Sequence, residues 1–109
     1  MSAVKNVTEA DFTSEVLESD QLVVVDFWAE WCGPCRMLGP TIDRAAGTFE
    51  GRARFVKCDV DANPQLAQQY GAMRIPNLIF FKDGQIVNQV VGYKNEQQLS
   101  SVVEEIIGS

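Results

Sequence analysis

The stretch Leu22-Val23-Val24-Val25-Asp26-Phe27 leads into Trp31-Cys32-Gly33-Pro34-Cys35 and then into a helix-like segment, Arg36 to Phe49. Few folds accommodate that order. The apolar run is too short and too β-branched for a helix, so it reads as a strand buried on both faces. A Cys-x-x-Cys pair where a strand gives way to a helix puts thiols at a helix N-terminus, whose unpaired N–H groups favour a thiolate. Such a dithiol can cycle between reduced and disulfide states.

The rest of the chain continues the alternation. Met1–Val7 reads as an outer strand. Thr8 and Asp11 approximate a capping box ahead of a short helix with Phe12, Val16 and Leu17 on one face. After Cys32, the residues Met37, Leu38, Ile42, Ala45, Ala46 and Phe49 supply a helix with a buried side; Pro40 inside it should kink it rather than end it. Arg54–Asp59 reads as another strand. Asn63-Pro64 opens a helix with a cap and a first-turn proline, and Gly71 closes it. Leu78–Phe81 and Ile86–Val91 flank Asp83-Gly84, a hairpin signal. Asn95 with Gln98 caps a last helix whose stripe is Leu99, Val102, Val103, Ile106 and Ile107. These elements predict an α/β fold with a mixed sheet covered on both faces. Ligands of such sheets bind beyond the carboxyl ends of strands, where the dithiol lies. No repeat, linker or low-complexity tract divides the 109 residues, so 1–109 reads as one domain.

Composition narrows the function. Nine Lys and Arg against 15 Asp and Glu leave a net charge of −6 with no basic stripe, which argues against nucleic acid and anionic membrane as partners. The start of the chain lacks the apolar region of a signal peptide, and no apolar run reaches membrane-spanning length, so a cytoplasmic location is expected. Three cysteines do not make a disulfide framework; a pair plus one spare points to a reducing compartment and to chemistry. A structural alternative is half of a zinc site, but zinc needs about four ligands. The chain has no His and one further cysteine, Cys58. Cys58 reads as a buried inert thiol, with a regulatory or intermolecular disulfide as the alternative.

The two motif cysteines should differ. Cys32 sits at or just before the first helical turn and gains most from the helix N-terminus. Cys35 lies one turn further in and should be more buried and keep its proton longer. Cys32 can therefore attack a target disulfide, and Cys35 can attack the resulting mixed disulfide. Gly33 and Pro34 bring no positive charge to stabilise the thiolate, which argues for a reductant; about 30 mV separates couples that differ by roughly 1.4 kcal/mol. Asp26 interrupts an otherwise apolar strand at the same end of the sheet. Buried, its carboxyl would have a raised pKa and could serve as general base for Cys35; an edge-strand Asp facing water is the alternative. Lys57 intrudes in the same way into Arg54–Asp59 and could reach Asp26 if the strands are neighbours, or be solvated.

Val25-Asp26-Phe27-Trp28-Ala29 followed by Trp31-Cys32-Gly33-Pro34-Cys35 resembles the thioredoxin family. Further matches run along nearly the whole chain: Pro40, Lys57, Asp59-Val60-Asp61 with Asn63, Tyr70-Gly71, Ile75-Pro76, Phe81-Lys82-Asp83-Gly84 and Val91-Gly92. The resemblance implies a thioredoxin fold, a central mixed sheet of about five strands flanked by about four helices. It implies Cys32 as nucleophile, Cys35 as resolving cysteine and Asp26 as the buried acid that deprotonates it. It also implies a cis peptide before Pro76, and a flat apolar surface of Trp31, Gly33, Pro34, Ile75, Pro76 and Gly92 that receives an extended substrate segment. From residue pattern alone, Pro76 would be an ordinary trans turn proline and Ile75 a core residue. The chain departs from the family at Asn77, where Thr is usual, at Arg36, where Lys is common, and at Tyr93, where a small residue is more usual.

The function expected is that of a protein-disulfide reductase and electron carrier with no bound cofactor, its redox group being the Cys32–Cys35 disulfide. By resemblance, a thioredoxin reductase restores the dithiol with electrons from NADPH or ferredoxin, and the partners are disulfide-containing target proteins. A monomer is expected, since no unusual apolar stripe asks for a partner. The alternatives are an oxidase or isomerase of the same fold, and a scaffold module that docks a partner without turnover.

Overall fold

The computed structural model describes residues 4–108. Five strands form one sheet: β1 (Lys5–Asn6), β2 (Leu22–Trp28), β3 (Ala53–Asp59), β4 (Asn77–Lys82) and β5 (Gln85–Val91), in the spatial order β1-β3-β2-β4-β5. Three α-helices, α1 (Gly33–Thr48), α2 (Pro64–Gln69) and α3 (Glu96–Ile107), join a π-helical turn at Thr13–Leu17. The mixed sheet arises because β2 pairs in parallel with β3 and antiparallel with β4. That central position explains the composition of β2, which must be apolar on both faces.

Alternation along β2 divides the interior into two cores. Leu22 and Val24 face Leu38, Ile42 and Phe49 of the first long helix and Leu99 and Val103 of α3. Val23, Val25 and Phe27 face Phe12 and Val16 of the π-helical turn and Leu66 of α2. Phe12, Tyr70 and Phe81 close this second core with edge-to-face rings, Tyr70 and Phe81 lying 5.3 Å apart.

Local sequence signals and the structure agree to within a residue at the ends of β2 to β5, with larger differences elsewhere. The long helix begins at Gly33 rather than Arg36, and Phe49 becomes its C-cap; it runs on through Pro40. The outer strand is only Lys5–Asn6, and Met1–Ala3 lie outside the described residues. The short N-terminal helix is a π-turn, closed by Glu18 N–H donating to Thr13 O at 2.9 Å. It is held to the sheet edge by the Arg54–Glu15 ion pair and by Lys5, 3.2 Å from Glu15. Asn63 does not cap α2. Its carboxamide accepts from Glu9 N–H at 3.0 Å, and Glu9 in return caps the helix, its carboxylate accepting from Gln65 N–H at 3.0 Å.

The hairpin turns where the sequence indicates, with Asp83 at φ 53° and Gly84 at φ 79°. Gly84 is required twice over, because a Cβ there would also lie 3.1 Å from Leu17 O. At the other end of the chain, Asn95 and Gln98 form the reciprocal capping box that opens α3.

Candidate functional site

The apolar hydrogen-bonded run of β2 ends at Trp28, and the chain reaches α1 in a few residues. Cys32 occupies the N-cap, with φ −90° and ψ 110°, and its Sγ accepts the N–H of Cys35 at 3.2 Å. Pro34 falls in the first turn, where an N–H would have no helical partner. Cys32 and Cys35 are joined as a disulfide across a Cα–Cα distance of 5.2 Å, and among the described residues Cys58 is the free cysteine. The expected contrast in exposure is small in this oxidised state: Cys32 is 5% exposed and Cys35 3%. Trp28, Val60 and Ile75 pack against the bonded pair.

A second loop meets the disulfide from across the sheet end. The Ile75–Pro76 peptide is cis, and Ile75 O lies 3.9 Å from Cys32 Sγ. Pro76 O accepts from Gly92 N–H at 2.8 Å, which ties this loop to the end of β5; Gly92 has φ 96°. Pro76 itself is buried, so the accessible surface beside it is formed by Ile75 and neighbouring backbone rather than by the proline ring. Gly33 and Pro34 are exposed. Trp31 is 70% exposed, yet its Nε1 donates to Asp61 Oδ2 at 2.8 Å, which fixes the ring as one wall of a hollow of about 290 Å³. Val60, Asp61, Met73 and Ile75 are among its other lining residues. Met73, which the sequence pattern does not single out, stands 74% exposed there.

Beneath the start of α1, β2 and β3 bring Asp26 and Lys57 into register. Asp26 is 1% exposed, and its Oδ1 has no hydrogen-bond partner. Burial pushes its carboxyl up to about 7, against a smaller downward pull from Lys57. The strand is central, not an edge, so the alternative of a solvated Asp26 is excluded. Lys57 is half-buried, and among the described residues it forms no ion pair with the carboxylate. Its Nζ sits 4.5 Å from the centroid of Trp28. Trp28 is thus part of the site, although in the sequence it stands only within the run that carries the family resemblance, with nothing to assign it a role.

Cys58 is a different kind of thiol. It is fully buried in the second core, and burial with nearby Asp59, Glu9 and Asp11 pushes its pKa up to about 12. That environment disfavours its thiolate, the form that attacks disulfides.

The Thioredoxin family model matches residues 3–105. The chain is 50% identical over 105 residues to "Thioredoxin 1" of Nostoc sp., an alignment covering 96% of this chain and 98% of that protein. It is 48% identical to a thioredoxin of Staphylococcus aureus, over 94% of this chain and 97% of the relative, and 46% identical to one of Chlorobaculum thiosulfatiphilum, over 93% and 94%. Relatives that match along nearly their whole length leave no room for a different architecture around the disulfide. With its five-stranded mixed sheet and the Cys32–Cys35 pair at the head of α1, this chain belongs to the thioredoxin family of thiol–disulfide oxidoreductases.

Proposed function

We propose that the chain is a general protein-disulfide reductase, a two-electron carrier working as one domain over 1–109. The observation that carries this reading is the placement of Cys32 Sγ at the N-cap of α1, where it accepts the Cys35 N–H. A sulfur there gains from the helix N-terminus only as it becomes anionic, which suits a nucleophile and leaving group.

The cycle begins with the dithiol. The Cys32 thiolate attacks one sulfur of a target disulfide; a Cys32–target bond forms, and the other target sulfur leaves as a thiolate that takes up a proton. Asp26 then accepts the Cys35 proton. The Cys35 thiolate attacks Cys32 Sγ, forming the Cys32–Cys35 bond and releasing the second target sulfur, which is protonated in turn. The target gains two electrons and two protons, and the carrier loses them. An Asp26 carboxyl poised at about 7 supports this assignment, because a base near neutrality can both take and give the proton. Lys57 acts on Asp26 through its charge.

The substrate surface consists of Trp31, Ile75 and Gly92 around the Pro76 loop. An extended target segment pairs there with backbone, so that targets are read with little regard to their side chains. Gly33 and Pro34, carrying no charge, set the couple on the reducing side. Recycling falls to a thioredoxin reductase supplied by NADPH or by ferredoxin, and the carrier itself holds no cofactor. The working form is a cytoplasmic monomer.

The test is the equilibrium reduction potential of the Cys32–Cys35 pair against a glutathione or reference dithiol buffer, with Cys58→Ser as control. A potential well below the glutathione pool is expected. A potential near or above it overturns the reductase reading in favour of an oxidase or isomerase.

A further inference from the structure

Trp28 touches both halves of the site. It packs against the cluster of Ala29, Cys32 and Cys35, and its ring carries the Lys57 ammonium at 4.5 Å. Its Nε1 is buried without a hydrogen-bond partner, so no polar anchor on its own edge orients the ring. Lys57 is the register partner of Asp26 on the neighbouring strand, and its charge acts on that carboxyl. Among the described residues the two form no ion pair, and Asp26 Oδ1 is left unpartnered. The ammonium lies over the aromatic face, not in an ion pair with the carboxylate.

We propose that Trp28 is a positioning residue: by holding Lys57 on its ring face, it keeps the ammonium off Asp26 and raises the proton affinity of that carboxyl. A half-buried ammonium gains from an aromatic face, and a carboxylate beside it would be stabilised in its charged form. Among the described residues no other charge acts on Asp26 to compete. Lys57 is the charged group that acts on Asp26; β4 places Leu78 in register with it, and α1 contributes Cys35, whose sulfur is in the disulfide. The position of Lys57 is thus the variable that sets how readily Asp26 ionises, and Trp28 sets that position.

The consequence for turnover rests on the reading of Asp26 as base, but the test does not. Asp26 is titrated in the oxidised protein by its side-chain carboxyl carbon resonance, where no thiol of the pair ionises. Trp28→Leu should lower the midpoint by about one pH unit, the order that a partly buried cation–π contact supplies, and Trp28→Phe by less. Loss of the indole also admits water, which would lower the midpoint without any help from Lys57. The Lys57→Met background separates the two causes. There Trp28→Leu should leave the midpoint where Lys57→Met alone puts it. A Trp28→Leu shift that keeps half its size or more without Lys57 overturns the proposal, as does the absence of any shift with Lys57 present. Failure of Asp26 as base would show instead in Asp26→Asn, as an unchanged rate of release from a mixed disulfide.

Discussion

The helices α1 and α3 begin alike and serve different ends. Each opens on an extended N-cap residue whose side chain accepts the N–H three residues on: Cys32 Sγ from Cys35 at 3.2 Å, and Asn95 Oδ1 from Gln98 at 2.8 Å. At α3 the capping is reciprocal, since Gln98 Oε1 accepts the Asn95 N–H at 3.0 Å. A carboxamide caps equally well in every state of the protein, so its contribution is stability. A disulfide sulfur is a poor acceptor, and it becomes a good one only as a thiolate. The interaction that steadies α3 at all times is therefore reserved, at α1, for the moment when Cys32 is released as an anion. The floor beneath differs too. α3 begins at an exposed surface, whereas α1 begins above a buried carboxyl that disfavours a second negative charge until it is protonated.

Substitutions at the two caps break this comparison most sharply. Cys32→Ser keeps a good cap and removes the nucleophile: reduction of a protein disulfide should be lost entirely, while the variant should melt no lower than the reduced wild type. Cys35→Ser should instead retain the first attack and stall as a stable mixed disulfide, visible by mass spectrometry. Recovery of turnover in either variant would remove the assignment of roles.

Asp26 sharpens the comparison through stability. Its carboxyl is raised to about 7 from 3.8, so between those values the unfolded chain releases a proton that the folded chain retains. Folding accordingly weakens as pH rises through this window, and the full penalty, roughly 4 kcal/mol, is present above the folded value. Asp26→Asn should be more stable than the wild type by about that amount at pH 8, and indistinguishable from it near pH 4, in urea unfolding of the oxidised proteins. Equal unfolding curves at pH 8 would mean that the carboxyl is hydrated rather than desolvated. The smallest effect belongs to the other cap. Asn95→Ala should cost about 1 kcal/mol and leave the exchange rate unaltered; a slower exchange would show that the two helix starts are coupled.

How much of this is legible in the chain depends on the range of the interaction concerned. Asn95 with Gln98, Asp83-Gly84 and the run from Leu22 to Phe27 act within a few residues, and the elements they announce are where they are expected. Asn63 shows the limit. It has the composition of a cap, yet its carboxamide is taken up by the N-terminal segment, and Glu9, far away in the chain, caps α2 in its place. The site divides in the same way. Asp26 stands out because a charge inside an apolar run is anomalous, and Lys57 for the same reason. Trp28 and Met73 carry no such mark, since an aromatic at a strand end and a methionine in a loop are ordinary until their neighbours are known.

Local signals along the chain, namely periodicity, capping and turn chemistry, suffice for the order of elements and the position of the dithiol at a helix N-terminus. They also mark Asp26 as a charge inside an apolar strand; its burial is settled by the central place of that strand in the sheet. The tertiary structure alone decided that Lys57 rests on Trp28 rather than on Asp26, that Ile75 comes within reach of Cys32, and that Cys58 is sealed in the second core. Each of these depends on which strands pair and in what register, and a register is set by the packing of both sheet faces at once.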